Sequence, residues 1–230
     1  MSERSAFDQN MVAKEAYTET SGVLDQLNLP SGVTTFLRKN KTILQISAAV
    51  VVTVVVTVSL YSSYRTNRLE GGASTLALSM AADGEEKITL LNQVVTDFSG
   101  TPSAIWATTE LGHMAMKEKE FKKAGEYYSQ SLGEVSADNP MLGLLTFAVA
   151  QAAEADGEYS SASSSYAALK DIEGYKDEGY LGMARVLEAQ GENDKAIAVY
   201  EEYLGSFLGE DVSDRVTEPI REKITRLQVQ

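Results

Sequence analysis

The sequence predicts an all-α chain: a single N-terminal transmembrane helix, then an α-solenoid of about four helical hairpins and a C-terminal capping helix. Three observations predict it. Residues 43–64 (ILQISAAVVVTVVVTVSLYSSY) hold no charged side chain. Beyond residue 118, a short motif of small and aromatic residues returns at a helix–turn–helix interval. After the last copy, Val216, Ile220, Ile224 and Leu227 fall on one helical stripe.

The apolar run comes first. At about 1.5 Å per helical residue it reaches roughly 33 Å, enough for a hydrocarbon core of ~30 Å. A cleaved signal peptide would have a short basic start, a shorter apolar run and a small-x-small cleavage site. Here the run starts only at Ile43 and ends in Leu60-Tyr61-Ser62-Ser63-Tyr64 before Arg65, which predicts an uncleaved signal anchor. Residues 50–58 are β-branched throughout, a composition suited to a strand in water. In a bilayer the backbone must satisfy itself, so a helix is expected. Arg38, Lys39 and Lys41 precede the run and Arg65 and Arg68 follow it, which favours a cytoplasmic N-terminus. Tyr61 and Tyr64 suit the aromatic belt on the far side, and Ala49, Thr53 and Thr57 form a small-residue face for another helix.

This divides the chain into a cytoplasmic arm (1–42), partly helical or disordered, the signal anchor (43–64), a linker (65–72) and a repeat domain with its cap (73–230). In the arm, residues 7–27 carry a loose helical pattern that Pro30-Ser31-Gly32 breaks. Residues 33–37 then lead into the basic cluster and are a candidate for the membrane interface. The Gly71-Gly72 pair is read as separating anchor from repeats.

Charge sharpens the division. The arm holds five basic (Arg4, Lys14, Arg38, Lys39, Lys41) and five acidic (Glu3, Asp8, Glu15, Glu19, Asp25) residues of the 20 and 33 in the chain. The remaining 15 basic and 28 acidic residues lie beyond the anchor, so the net charge of −13 belongs to the repeat domain. Such a surface repels phosphate backbones and argues against nucleic acid as a partner. With no cysteine, the domain needs no disulfide in an oxidising compartment.

The repeats are explicit. Gly157-Glu158-Tyr159-Ser160-Ser161-Ala162 with Tyr166 returns thirty-four residues later as Gly191-Glu192-Asn193-Asp194-Lys195-Ala196 with Tyr200. An earlier copy, Lys119-Glu120-Phe121-Lys122-Lys123-Ala124 with Tyr128, lies thirty-eight residues before the first of these, and a longer loop around Ala137-Asp138-Asn139-Pro140 absorbs the difference. Helices that cross closely need small residues at the crossing and large ones between. Leu111 and Gly112 with Ala124 and Tyr128, Ala150 with Ala162 and Tyr166, and Ala184 with Ala196 and Tyr200 meet that need. Residues 73–82 and 86–98 around Gly84 form a degenerate first hairpin, and Phe98-Ser99-Gly100-Thr101-Pro102 marks the turn after it. Residues 205–213 interrupt the helical pattern before the capping stripe, as an exposed terminal repeat face requires.

Residues 73–205 resemble the tetratricopeptide repeat, whose period and small and aromatic positions these are. The whole layout, and residues 171–198 (DIEGYKDEGYLGMARVLEAQGENDKAIA) most of all, resembles the ancillary subunit of the bacterial Sec translocon. That resemblance implies a single-pass protein of the inner membrane, contact with translocon subunits, and a periplasmic repeat domain near chaperones.

No catalytic set is expected, nor any cofactor or metal. His113 is the sole histidine, and the carboxylates lack calcium-loop spacing. Gly71-Gly72 and Gly179-Tyr180-Leu181-Gly182 read as a linker and as packing contacts, not phosphate loops. A repeat array offers a concave groove lined by the first helix of each hairpin. Register places Trp106, Thr109, His113 and Met116 there, then Leu144, Phe147, Gln151 and Glu154, then Glu178, Leu181, Arg185 and Glu188. The expected function is a membrane-anchored protein–protein interaction scaffold that binds a polypeptide, with translocon subunits and chaperones as partners. The alternatives are a scaffold of another envelope assembly (cell division, secretion or outer-membrane assembly) and a hydrolase using acidic residues.

Overall fold

The structure, a computed structural model, describes residues 30–207 and 214–229, with side chains of the final helix from Thr217 onward. Among these residues there are ten helices and no strand, and the hairpins stack as a solenoid. The helical pattern expected over 7–27 lies outside the described residues, as does most of the break expected over 205–213. Two compact units divide after Ser63.

In the first unit, α1 (Ser31–Lys39) leads through Asn40 into α2 (Lys41–Ala81), a helix of 41 residues. Its charge-free run is exposed by half or more at Val50, Val52, Val55, Val58, Leu60 and, just past Ser63, Tyr64. The Thr53 and Thr57 hydroxyls donate to the carbonyls of Ala49 (2.9 Å) and Thr53 (2.8 Å), so these side chains are satisfied inside the helix.

The second unit starts inside α2. Residues 65–72, expected as a linker, are helical, and Gly71-Gly72 does not break the helix. The pair serves close approach: a Cβ on Gly71 would meet the Phe98 ring at 2.8 Å, and one on Gly72 would meet Phe98 at 3.2 Å and Ser103 at 3.3 Å. Arg68 Nη2 donates to the carbonyls of Asp97 (3.0 Å) and Ser99 (3.1 Å), tying the same junction. Each helical glycine costs about 1 kcal/mol relative to alanine, which the docking of Phe98 offsets.

The last part of α2 and α3 (Gly84–Asp97) make the first hairpin, with Leu76, Leu91 and Val94 packed against Ala107 and Leu111. Then come α4 (Pro102–Lys117) with α5 (Phe121–Gly133), α6 (Leu142–Asp156) with α7 (Tyr159–Leu169), and α8 (Lys176–Ala189) with α9 (Asn193–Gly205). Thr101 caps α4 by accepting from the Ala104 N–H at 3.3 Å, with Pro102 at the first helical position. The cap, α10 (Asp214–Leu227), buries Ile220 and Leu227 against the cluster of Tyr200 and Tyr203.

The recurring small and aromatic residues form the seam of the solenoid. Ala124, Ala150, Ala162, Ala184 and Ala196 have no exposed surface, and Tyr128, Tyr166 and Tyr200 are buried. A Cβ on Gly112 would come within 2.6 Å of the Tyr128 ring, and one on Gly182 would overlap the ring of Tyr166. Gly179 sits against the backbone of Tyr166 and Lys170, so both α8 glycines are packing contacts.

The turns inside the last three hairpins are the same turn. Glu120, Glu158 and Glu192 each donate their N–H to the carbonyl five residues back (Ala115, Ala153, Leu187), all at 2.9 Å. The residue before each glutamate is left-handed: Lys119 (φ 64°), Gly157 (φ 80°) and Gly191 (φ 74°). Lys119 alone bears a Cβ there, at a cost of order 1 kcal/mol. Lys119→Gly is therefore expected to stabilise the full chain by about 0.5–1 kcal/mol in thermal denaturation followed by circular dichroism, whereas Gly157→Lys is expected to destabilise it by a similar amount.

Candidate functional site

The leading helices α4, α6 and α8 place Met116, Phe147, Gln151, Glu154, Ala155 and Arg185 around one cleft of about 500 Å³. Helical spacing explains the grouping. Phe147, Gln151, Glu154 and Ala155 lie on consecutive turns of one face of α6, while Met116 and Arg185 approach from the neighbouring helices. One wall is apolar, where the half-buried Phe147 meets the Tyr166 ring edge-on at a centroid distance of 6.3 Å. The other is a charged clasp. Arg185 reaches both oxygens of Glu154, Nε to Oε1 at 2.5 Å and Nη2 to Oε2 at 2.7 Å. Tyr166 donates to Glu154 Oε2 at 2.6 Å, and Arg185 Nη2 donates to the Tyr166 oxygen at 2.9 Å.

The electrostatics derive from this closure. Burial pushes Glu154 up, but hydrogen bonds from Arg185 and Tyr166, with the charge of Arg185, outweigh it and hold the carboxyl below the usual carboxylate range. The hydrogen bond to Glu154 keeps Arg185 protonated, and burial with the adjacent carboxylate raises the Tyr166 phenol. Glu154 is thus a fully engaged anion, arranged to hold a repeat interface and not to shuttle a proton.

A second clasp lies thirty-four residues on. Tyr200 donates to Glu188 Oε1 at 2.6 Å, and the capping helix supplies Lys223, whose Nζ donates to Glu188 Oε1 (3.2 Å) and to the Tyr200 oxygen (3.0 Å). Arg226 adds an ion pair to Glu188 at 3.6 Å. Glu188 is again pushed up by burial and drawn below its usual range by Tyr200, Lys223 and Arg226. One repeat earlier, Met116 and Gln151 occupy the positions of Glu154 and Arg185, and the clasp is missing. Tyr128 there is buried, and desolvation pushes its phenol up to about 12.

Of the groove residues expected from sequence, Met116, Phe147, Gln151, Glu154 and Arg185 come together in the cleft. Trp106 (47% exposed) and Leu144 (39% exposed) stand on the open surface at equivalent positions of α4 and α6. Half-exposed His113 lies 3.5 Å from Glu110 and tilts against Tyr128 at 5.5 Å, and Glu188 belongs to the second clasp. Thr109 does not reach any groove. It is buried, its hydroxyl donating to the Ile105 carbonyl (2.8 Å) and lying in hydrogen-bond contact with the Ser131 hydroxyl (3.1 Å) where α4 meets α5. Glu110, one residue on, pairs with Lys87 at 2.6 Å across α3 and α4, and that hydrogen bond lowers its carboxyl. Among the described residues, no three His, Cys, Asp or Glu converge as metal ligands would. The clasp itself was not anticipated. Its sequence signal is a glutamate twelve residues before each seam tyrosine, present at Glu154–Tyr166 and Glu188–Tyr200.

No family model and no curated protein matches the chain. Solved structures do. A variant of a kinesin light chain-type protein of Podosopora anserina with nearly identical TPR-like repeats superposes with a TM-score of 0.51 at 18% identity, covering 70% of this chain and 84% of that one. A second structure of that protein gives a TM-score of 0.47 at 15% identity, over 71% of this chain and 94% of the other. The likeness establishes a tetratricopeptide-like fold.

The clasps predict a pH profile with two limbs. Because the Glu154 and Glu188 carboxyls are lowered in the folded state, their contribution is complete above the unfolded carboxylate range and is lost as pH falls through the lowered folded values. Because Tyr166 and Tyr200 are raised, theirs is complete below about pH 10 and is lost as pH rises through the folded values. Denaturant midpoints measured across pH should fall on both sides. Glu154→Gln should flatten the acid limb and cost about 0.5–1.5 kcal/mol at neutral pH, because Arg185 is half exposed and regains water when it loses its carboxylate.

Proposed function

We propose that this chain is a membrane-anchored interaction scaffold whose concave repeat surface binds polypeptide. The observation that carries the reading is a cleft with one apolar wall and one charged wall, open between stacked hairpins, in a chain whose longest helix also carries a charge-free apolar run. Phe147 and Met116 offer an apolar seat, Gln151 offers unclaimed amide donors and acceptors, and exposed Trp106 and Leu144 extend the surface. Tryptophan and arginine are the residue types that most often dominate binding energy. The long α2 supports the anchor: it has the length and composition to cross a bilayer, and none of its most apolar window is buried. An exposed valine-rich surface of that size would be costly in water and is suited to lipid.

The more specific reading is an ancillary subunit of the Sec translocon, in the inner membrane with the N-terminus in the cytoplasm and the repeats in the periplasm. The layout and residues 171–198 support it. Three basic residues before the run, against two after it, support the orientation. Tethering would make capture of a chaperone or an emerging chain nearly intramolecular, raising its effective concentration without new contacts.

Photocrosslinking from Phe147 in intact membranes tests both levels. The expected products are covalent adducts with a translocon subunit or a periplasmic chaperone, reduced several-fold when Met116 or Trp106 is changed to Glu. Adducts confined to proteins of another envelope assembly would remove the translocon role, and a Phe147 label that captures no polypeptide would remove the binding surface.

A further inference from the structure

We propose that α1 is an interfacial helix that seats the N-terminal side of the anchor on anionic phospholipid headgroups. This rests on the reading of residues 43–64 as a membrane span and goes beyond it.

The helix has two faces. Val33, Phe36 and Leu37 recur at the three- and four-residue spacing of one helical stripe, while Ser31, Thr35 and Arg38 lie opposite. Val33 is 42% exposed and Phe36 59%, so the stripe meets no protein over much of its area. The polar groups at the helix start are closed on themselves: the Thr34 and Thr35 hydroxyls both donate to the Ser31 carbonyl, at 3.0 and 2.8 Å. With those hydroxyls bonded inside the helix, a short helix with one apolar face is the form in which a segment can lie in a headgroup layer, where water and headgroups still reach its first N–H groups.

The junction with α2 sets its depth. α1 ends at Asn40 (φ −107°, ψ 18°), whose backbone N–H and side-chain Nδ2 both donate to the Phe36 carbonyl at 3.0 Å. α2 begins at the next residue, and the Leu44 N–H already bonds to the Asn40 carbonyl at 2.9 Å. No linker separates the two helices, so if Ile43 starts the span, α1 lies at the level of the headgroups.

Charge selects the lipid. Arg38, Lys39 and Lys41 gather at that level, and no Asp or Glu occurs between Asp25 and Glu70 in a chain whose net charge is −13. Each basic residue near an anionic bilayer strengthens attachment about fivefold. A partner protein would have to reach a stripe pressed against the membrane plane, which favours lipid as the occupant.

The absence of cysteine allows a direct test. Single-cysteine variants Val33→Cys, Thr35→Cys and Val52→Cys of the full chain are spin-labelled and reconstituted in vesicles of phosphatidylcholine, with or without phosphatidylglycerol. Depth is then read from oxygen against water-soluble quencher accessibility. With phosphatidylglycerol, position 33 is expected at the acyl boundary and position 35 in water, about 10 Å apart as the helix diameter dictates. Position 52 is expected in mid-bilayer. Omitting phosphatidylglycerol, or adding Lys39→Glu with Lys41→Glu, should move position 33 into water. Equal water exposure at 33 and 35 with 52 still in lipid would overturn the proposal while leaving the anchor intact. A lipid-embedded position 33 indifferent to both charge changes would overturn the choice of anionic lipid, and a water-exposed position 52 would remove the anchor and the proposal together.

Discussion

Each seam tyrosine is asked to do two things at once, and the repeat unit depends on its doing both. The ring must pack closely against a leading helix: Gly112 of the same hairpin cannot carry a Cβ without striking Tyr128, nor Gly182 of the next hairpin without striking Tyr166. The phenol must then emerge where it meets a partner or water, because a buried hydroxyl with neither costs about 1–3 kcal/mol. In the later hairpins the partner is a glutamate, itself neutralised by a cation from the next element, Arg185 or Lys223. Packing inside one hairpin and register between hairpins are thus coupled through one side chain.

That coupling also locates the open surface. Where the clasp exists, carboxylate, phenol and cation satisfy one another and leave little free bonding capacity. Met116 and Gln151 replace the charged pair one repeat earlier and line the same cleft as Glu154 and Arg185, supplying the part of its surface that the clasp does not claim. The capping helix extends the same logic. Pro219 stands thirty-four residues after Arg185, where strict repetition would place its counterpart, and Lys223, one turn later, takes over that role. A cap that mimics a repeat's polar contact while presenting its own outer face is a compact solution to ending a stack.

Much of this was legible from residues alone, for a physical reason. Small residues at helix crossings and tyrosines at fixed offsets are dictated by interaxial distance, so Ala124, Ala162, Ala196 and their tyrosines betray the hairpins. Five of the groove residues were placed beside one another by register in the same way. What failed was any inference that needed the partner of a residue. Thr109 has groove spacing, but its hydroxyl is drawn to Ser131 inside the hairpin. Gly71-Gly72 looks like a linker by composition, but the pair is helical and leaves room for Phe98 to pack against it. The glutamate clasp was hidden because acidic residues are abundant here, and only the pairing with a tyrosine twelve residues away marks two of them.

The most direct test of this account compares three phenol deletions that leave the ring packing unchanged. Tyr128→Phe, Tyr166→Phe and Tyr200→Phe are made separately in the full chain, and denaturation is followed by Trp106 fluorescence. The clasp predicts losses of about 1–2 kcal/mol at positions 166 and 200, where the hydroxyl bonds a carboxylate, and a change within about 0.5 kcal/mol at position 128. Equal losses at all three positions, or none at 166 and 200, would show that the phenols do not set the register and would contradict the account.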